Sequence, residues 1–169
     1  MAVNRGNGVI IGGLVAGMIV VAVAAASGGW LDGMFRKSPA EIAKAAGVVE
    51  TATQVRIPLA SLDPSKALFL STESGGSQLH FFALKGSDGA YRAALDACDV
   101  CFKSNKGYRQ EGDWMVCNNC GQKFPSARIG EVKGGCNPHP LARTVEGGHL
   151  VVDKGDIQAG RRYFPGKRA

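Results

Sequence analysis

Two pairs of cysteines constrain the fold of this chain more than any other feature of its sequence. Cys98 and Cys101 form one C-x-x-C pair, Cys117 and Cys120 form the second, and residues 102–116 separate the two pairs. Two such pairs at this distance are typical of a closed site in which four thiolates bind one metal centre. The spacing therefore predicts a metal centre that is held by these four cysteines, without identifying the metal.

A fifth cysteine, Cys136, lies in the segment Gly-Gly-Cys-Asn-Pro at 134–138. Five thiols cannot all pair with one another, so the set is not a plain disulfide framework. Three roles stay open for Cys136: a further metal ligand, a partner in a transient disulfide, or a small buried apolar side chain. The two preceding glycines favour a position near the metal, because backbone without side chains can approach the sulfurs closely.

Charge and composition limit the classes of protein to which this chain can belong. The chain has 169 residues, a net charge of +6 and an isoelectric point near 9.2, but its lysines and arginines are scattered and mostly interleaved with acidic residues. Without a basic stripe that carries stacking aromatics, this pattern predicts no nucleic-acid partner. The sequence shows no nucleophile with a partner base and no phosphate-binding loop, and no small-molecule substrate is evident. Whether the chain is an enzyme stays open, and a non-enzymatic electron carrier is the favoured interpretation.

The N-terminal part of the sequence predicts a membrane anchor. Residues 8–26 form a run of nineteen uncharged residues, which is about the length that a helix needs to cross the hydrocarbon layer. A cleaved signal peptide is the alternative, because Arg5 precedes the run and small residues end it at 24–26. The length of the run, and the aromatic side chains of Trp30 and Phe35 after it, favour an anchor that is retained in the cytoplasmic (inner) membrane.

We therefore expect three parts: an anchor at 1–27, a juxtamembrane linker with a short helix at 28–47, and a cysteine-rich domain at 48–169. The single pass is expected to place this domain on the periplasmic or exterior side, because a short N-terminal apolar segment usually exports the domain behind it. In the linker, Ser38, Pro39 and Glu41 predict a helix start, with a capping hydroxyl, a proline in the first position and an acid in the first turn.

Alternating apolar and polar residues predict strands throughout the cysteine-rich domain. The pattern is clear at 49–59, and shorter runs occur at 67–71, 79–85, 91–97 and 114–117, separated by glycine-containing turns. The last two runs, 141–146 and 149–153, flank Gly147 and Gly148, which suit a tight hairpin turn. The sequence thus predicts a small all-β domain in which the cysteines lie on three loops that meet at one end.

The second cysteine loop resembles a ligand loop of Rieske-type iron–sulfur domains. Residues 117–124 have the sequence Cys-Asn-Asn-Cys-Gly-Gln-Lys-Phe, with Cys120 in the position of a Rieske histidine, and residues 134–141 resemble the proline loop that encloses the cluster. The first loop departs from this family, because it has C-x-x-C where a Rieske loop has C-x-H. The resemblance implies a Rieske-like or zinc-ribbon-like β domain, without a ligand geometry that can simply be copied.

A closer resemblance is to the FtrD-like family of membrane iron–sulfur proteins, over about residues 50 to 165. The residues that carry it are Phe81-Phe82, the segment 93–101, Gly107-Tyr108, the segment 115–121, Phe124, Ile129-Gly130 and the segment 134–138. The resemblance implies an iron–sulfur cluster at the membrane that moves electrons, with a membrane redox or transport protein of iron uptake as its partner.

Two other functions fit the same cysteines. A structural zinc site has the same spacing and the same C-x-x-C-G knuckle, and would make the domain a zinc-stabilised interaction module of a membrane complex. Thiol–disulfide exchange also uses C-x-x-C in exported proteins, although one pair would be enough for it. Our interpretation from the sequence is a membrane-anchored one-electron carrier, with an iron–sulfur cluster at the four paired cysteines and zinc as the alternative metal.

Overall fold

The structure is a computed structural model that describes residues 37–166. The predicted anchor at 8–26 lies outside the described residues, as does the first part of the predicted linker, residues 28–36. Among the helices of residues 37–166, none is long and apolar enough to cross a membrane. The division of the chain at residues 27 and 47 stays a prediction.

Short strands dominate the described chain. They are β1 (Val49–Glu50), β2 (Gln54–Pro58), β3 (Leu68–Ser74), β4 (Ser77–Lys85), β5 (Tyr91–Leu95), β6 (Tyr108–Glu111), β7 (Trp114–Cys117), β8 (Lys123–Pro125), β9 (Thr144–Glu146) and β10 (His149–Asp153). The α-helices are α1 (Pro39–Ala45) and α2 (Lys154–Ala159), and short 3-10 turns lie at Leu59–Ser61, Phe102–Ser104, Ser126–Arg128 and Arg161–Tyr163.

Within residues 37–166 the strands form three antiparallel sheets, with the orders β1-β2-β10-β9, β3-β4-β5 and β6-β7-β8. In the first sheet β10 pairs with β2 along its whole length, so the beginning and the end of the domain are joined. The predicted hairpin is formed by β9 and β10, and Gly147 and Gly148 have positive φ angles of 54° and 75°. The prediction of an all-β domain is confirmed.

Helix α1 begins where the sequence predicts it. The Ser38 hydroxyl accepts a hydrogen bond from the Glu41 N–H (3.3 Å), and the Glu41 carboxylate accepts one from the Ser38 N–H (2.7 Å). This reciprocal pair is a capping box, and Pro39 comes directly after Ser38 in the first turn, where its missing N–H has no intrahelical partner to lose.

The middle sheet separates two hydrophobic cores, because β4 and β5 are buried on both faces. Phe81 and Ala83 of β4 belong to one core, and Phe82 and Leu84 belong to the other, as the alternation of side chains along a strand requires. The first core consists of Val55, Ile57, Leu62, Leu68, Leu70, Leu79, Phe81, Ala83, Ala93, Leu95, Ala97, Leu141, Leu150, Val152, Ile157, Tyr163 and Phe164. The second, which we call the cysteine core, consists of Ala67, Phe82, Leu84, Ala94, Cys98, Cys101, Tyr108, Met115, Cys117, Phe124 and Ile129.

Candidate metal centre

Three loops, together with Cys117 at the end of β7, carry the five cysteines. The first loop, 96–107, leaves β5, the second, 118–122, joins β7 to β8, and the third, 129–140, leads towards β9. Backbone hydrogen bonds join the third loop to the end of β5. The N–H of Leu95 donates to the carbonyl of His139 (2.8 Å), and the N–H of His139 donates to the carbonyl of Ala97 (3.0 Å).

Asn118 joins the first two loops. Its N–H donates to the carbonyl of Gly107 (2.9 Å), and its side-chain amide donates to the carbonyl of Lys106 (2.9 Å). Together with the bonds at His139, these contacts fix all three loops at one end of the domain.

The loops bring all five cysteine sulfurs together into one thiol cluster. Cys98, Cys101 and Cys136 form one triad and Cys101, Cys117 and Cys120 form another, and within each triad all Sγ atoms lie within 4.8 Å of one another. The Sγ atom of Cys136 lies 3.7 Å from that of Cys101 and 3.6 Å from that of Cys120, and all five residues are free thiols. The predicted meeting of three loops is confirmed, whereas metal binding by these residues stays a prediction.

The position of Cys136 is the main addition to the site that the sequence predicts. It contacts one sulfur from each C-x-x-C pair, whereas Cys98 shares no triad with Cys117 or Cys120. Four thiolates that bind one ion at about 2.3 Å lie about 3.8 Å apart, which is close to the two sulfur separations of Cys136. Of its three open roles, this geometry favours metal ligand or thiol partner over apolar packing.

N–H groups are directed at the sulfurs. The N–H of Cys101 donates to the Sγ of Cys98 (3.2 Å), and the side-chain amide of Asn119 donates to the Sγ of Cys101 (3.4 Å). Hydrogen bonds of this kind stabilise a thiolate relative to a thiol. The loops are therefore arranged for anionic sulfur ligands.

Burial and these donors shift the thiol pKa values in opposite directions. Cys117 is 1% exposed, and burial raises its pKa to about 11 although the N–H groups of Cys120 and Asn119 lower it. The exposed Cys120 has a lowered pKa, because the N–H of Gln122 donates to its sulfur. Burial also raises the pKa of Cys136. A bound cation offsets such a burial cost, since it deprotonates coordinating thiols, so the buried members of the cluster suit metal binding better than nucleophilic chemistry.

Tyr108 covers the thiol cluster from the cysteine core. It is 5% exposed, and its hydroxyl donates to the carbonyl of Cys136 (2.5 Å). Burial raises its pKa, and the neighbouring thiol of Cys98 raises it further, so the hydroxyl stays protonated and acts as a donor. The backbone N–H of Tyr108 donates to the buried carboxylate of Asp96 (2.6 Å). A side chain on Gly107, which has φ 62°, would clash with that carboxylate, so glycine is needed there.

A polar network that the sequence did not reveal joins the first and third loops. The hydroxyl of Tyr163 donates to the carboxylate of Asp99, which lies inside the first C-x-x-C pair, and it lies 3.1 Å from Nδ1 of His139. Arg162 donates to the same hydroxyl (2.8 Å), and the Tyr163 ring packs edge-on against Phe102 with centroids 5.7 Å apart. Because Tyr163 and Asp99 are 64 residues apart in sequence, no local pattern signals this contact.

The thiol cluster reaches the surface at one side. Cys98, Cys101 and Cys117 are buried, Cys136 is half-buried and Cys120 is exposed. A cavity of about 10 Å³ borders the buried thiols, which is about the space that one water molecule needs. This cavity is too small for an organic substrate.

The sequence model of a protein family matches residues 62–164, a stretch that contains all five cysteines. The family is described as membrane iron-sulfur containing protein, FtrD-like. No curated protein and no solved structure matches the chain significantly. The match covers more than half of the chain and all three cysteine loops.

Proposed function

The chain belongs to the FtrD-like family of membrane iron–sulfur proteins, and from this premise we propose that it carries single electrons through an iron–sulfur centre in its thiol cluster. The proposed ligands are Cys98, Cys101, Cys117 and Cys120, with Cys136 as a fifth thiol beside them. The proposed partner is a membrane redox or transport protein of iron uptake.

One observation carries this proposal. The free thiols form a cluster that is exposed to solvent at Cys120, and the cavity beside the cluster has a volume of only about 10 Å³. An enzyme of small molecules needs a pocket that encloses its substrate. An electron carrier needs only a centre close to the surface, and exposed Cys120 offers such an edge.

The protein residues around the thiols have distinct proposed tasks. An all-cysteine iron–sulfur cluster supplies one-electron chemistry at a low potential, about −400 mV for plant-type ferredoxins. The backbone N–H of Cys101 and the side-chain amide of Asn119 donate to sulfurs of the cluster. Such donors disperse the negative charge of a reduced centre and raise its potential. The buried surroundings on the side of the cysteine core leave space for about one water molecule beside three of the thiols.

Zinc is the second candidate, and a specific observation favours it. The sulfur separations of 3.6 and 3.7 Å at Cys136 are close to the edge of about 3.8 Å of a tetrahedral zinc–thiolate site. Gly121, with φ 75°, completes the second C-x-x-C-G turn in the form that zinc knuckles use. In that case the domain is an interaction module that zinc stabilises, without redox activity.

Metal and sulfide analysis of the full chain separates the two candidates. The protein is purified anaerobically in detergent and assayed for iron, zinc and acid-labile sulfide, with absorption spectra before and after dithionite. We expect a brown protein with iron and sulfide in equal amounts and visible bands that bleach on reduction. A colourless protein with zinc and no sulfide contradicts the electron carrier.

Single variants test the ligand set. Cys120→Ser is expected to lose most of the bound iron, because it removes a ligand of the second pair. Cys136→Ser serves as the comparison, and retention of iron and sulfide in this variant supports the four paired cysteines as ligands. Loss of iron in Cys136→Ser but not in Cys120→Ser shows that the third loop supplies a ligand instead.

We propose further that residues 8–26 anchor the protein in the cytoplasmic membrane and that the domain faces the periplasm. The uncharged run in the sequence and the membrane description of the family support this topology. Mass spectrometry of the mature protein is expected to find the N-terminal segment intact, and protease added to spheroplasts is expected to digest the domain. A mature chain that begins near Ser27, or a protected domain, contradicts the respective half of this topology.

A further inference from the structure

Three exposed lysines lie on the first and third cysteine loops. Lys103 lies in the 3-10 turn directly after Cys101, Lys106 lies at the end of the first loop, and Lys133 lies three residues before Cys136. None of the three forms a salt bridge within residues 37–166. We call these three residues the basic rim.

The acidic residues of the same loops do not neutralise the basic rim, because they have other partners. Asp99 accepts a hydrogen bond from Tyr163 and lies 3.8 Å from Arg162. Glu131 binds Arg128 at 2.6 Å and is also 3.5 Å from Arg92. The lysines of the basic rim are therefore left without a salt-bridge partner among residues 37–166.

Two apolar side chains on the same loops are exposed. Val100 lies between Cys98 and Cys101 and is 64% exposed, and Val132, next to Lys133, is 41% exposed. Protein interfaces have an apolar centre and a polar rim, and exposed Val100 with lysines on the same loops fits this arrangement. Val100 therefore lies directly beside Cys101 in sequence, and Val132 lies directly beside Lys133.

We propose that the basic rim and Val100 form the docking surface for an acidic redox protein, which they hold against Cys120. This inference rests on the proposed function. In the encounter the reduced centre loses one electron and the partner gains one, and no bond or proton is exchanged. A partner of this kind has carboxylates around a small apolar patch, because opposite charges steer the encounter and an apolar contact excludes water from the centre.

The first test measures the charge at the electron exit with small probes. Full-length protein in detergent is reduced with dithionite, and its oxidation is followed by stopped flow with either anionic ferricyanide or cationic hexaamminecobalt(III). The rim variant is Lys103→Gln/Lys106→Gln/Lys133→Gln. The control variant, Lys37→Gln/Lys44→Gln/Lys66→Gln, has the same change in net charge at lysines that are also exposed.

We divide the rate of protein oxidation by ferricyanide by the rate of oxidation by hexaamminecobalt(III). At low ionic strength we expect this ratio to be about tenfold or more lower in the rim variant than in the wild type. The control variant should change this ratio less than about twofold, and about 0.5 M salt should remove the difference through screening. Equal ratios in the two variants overturn the docking surface. A protein that reacts with neither oxidant overturns the proposed function itself.

The second test needs no redox activity. A fluorescent decaglutamate peptide is titrated against the zinc-loaded full chain, and binding is followed by fluorescence anisotropy. We expect the rim variant to bind about tenfold more weakly than the wild type and the control variant to bind within about twofold of it. Equal loss in both variants shows that only net charge matters and contradicts a localised docking surface. If the purified protein contains zinc and no iron, localised peptide binding supports the surface but contradicts its role in electron transfer.

Discussion

The two cores of the domain lie on opposite faces of the same sheet, yet they differ in what holds them together. The first core contains seventeen buried residues and no metal-binding thiol. The cysteine core contains eleven buried residues, and three of these are the thiols of Cys98, Cys101 and Cys117. The comparison shows how one sheet supports a conventional apolar interior and a ligand site at the same time, because successive residues of β4 face different sides.

This difference implies two sources of stability. Burial of apolar surface stabilises the first core whether or not a metal is present. On the other side, the three loops converge on sulfurs that repel one another as thiolates, so bound metal contributes much of the order there. Removal of the metal ligands should therefore lower the stability of the domain more than removal of a single core side chain does. Removal of the Tyr108 hydroxyl, or deprotonation of the Cys117 thiol, should lower the stability least.

Removal of the thiol ligands should disorder one side of the sheet only. The quadruple Ser variant of Cys98, Cys101, Cys117 and Cys120 loses the metal that joins the loops, and we expect its thermal midpoint to fall by about 10 °C or more. Hydrogen exchange should accelerate in β6, β7 and β8, whereas the amides of β2 and β10 should stay protected. An unchanged midpoint would show that the cysteines have no structural role.

Two adjacent phenylalanines compare the cores directly. Phe81→Ala and Phe82→Ala should each cost about 3–5 kcal/mol of unfolding free energy, because each opens a cavity at a fully buried position. Only Phe82→Ala should also weaken metal binding, since its ring contacts that of Tyr108 (centroids 6.2 Å apart) beside the thiols. Denaturant unfolding and competition with a chelator provide the two measurements. Equal metal affinities in the two variants would argue against separate roles for the cores.

Tyr108→Phe tests one hydrogen-bond donor at the edge of the cysteine core. The loss of its hydroxyl should cost about 1 kcal/mol of stability. It should also lower the reduction potential by a few tens of mV, because the carbonyl of Cys136 beside the thiols loses the donor that offsets its negative end. Redox titration monitored by electron paramagnetic resonance measures the potential, with Tyr91→Phe, a tyrosine away from the thiols, as the control. An equal shift in both variants would mean that the Tyr108 hydroxyl does not act on the centre.

The pH dependence of stability should have opposite signs with and without metal. In the metal-free protein, burial raises the pKa of Cys117 from about 9 to about 11, so the folded state retains a proton that the unfolded state loses. The contribution of this thiol to the free energy of unfolding is then fully present below pH 9 and is lost as the pH rises towards 11. With metal bound, the thiolates must stay deprotonated, and stability should instead fall as the pH drops. Thermal melts across pH 5–11, with and without chelator, check both slopes.

The local features of the fold could be predicted from the sequence. The cap of α1 depends on Ser38 and Glu41, which are three residues apart, and the final hairpin depends on two adjacent glycines. The strands of the middle sheet lie at the predicted runs 67–71, 79–85 and 91–97, although β4 and β5 are buried on both faces and show no alternation. Long-range pairing could not be predicted in this way, and neither the partnership of β2 with β10 nor strands β6 and β8 were foreseen. Short strands of three or four residues have too few side chains to show a period.

The same limit applies to the candidate site. The spacing of Cys98, Cys101, Cys117 and Cys120 predicted a site on converging loops, and the sulfur positions agree with that convergence. The contact of Cys136 with both pairs depends on the hydrogen bonds that hold the third loop against β5. The network around Tyr163 depends on the return of the chain end to the first loop.

The β class, the two cysteine loops and the family could all be recognised in the amino-acid sequence, because they depend on residues that are close together in the chain. Three other properties are visible only in the folded domain. One face of β4 packs against the core that contains the thiols, and Cys136 lies in contact with the paired cysteines. Among the four paired cysteines, Cys120 alone is exposed. Those properties depend on distances between residues that are far apart in sequence. Such distances are set by the simultaneous packing of three sheets, which no local pattern encodes.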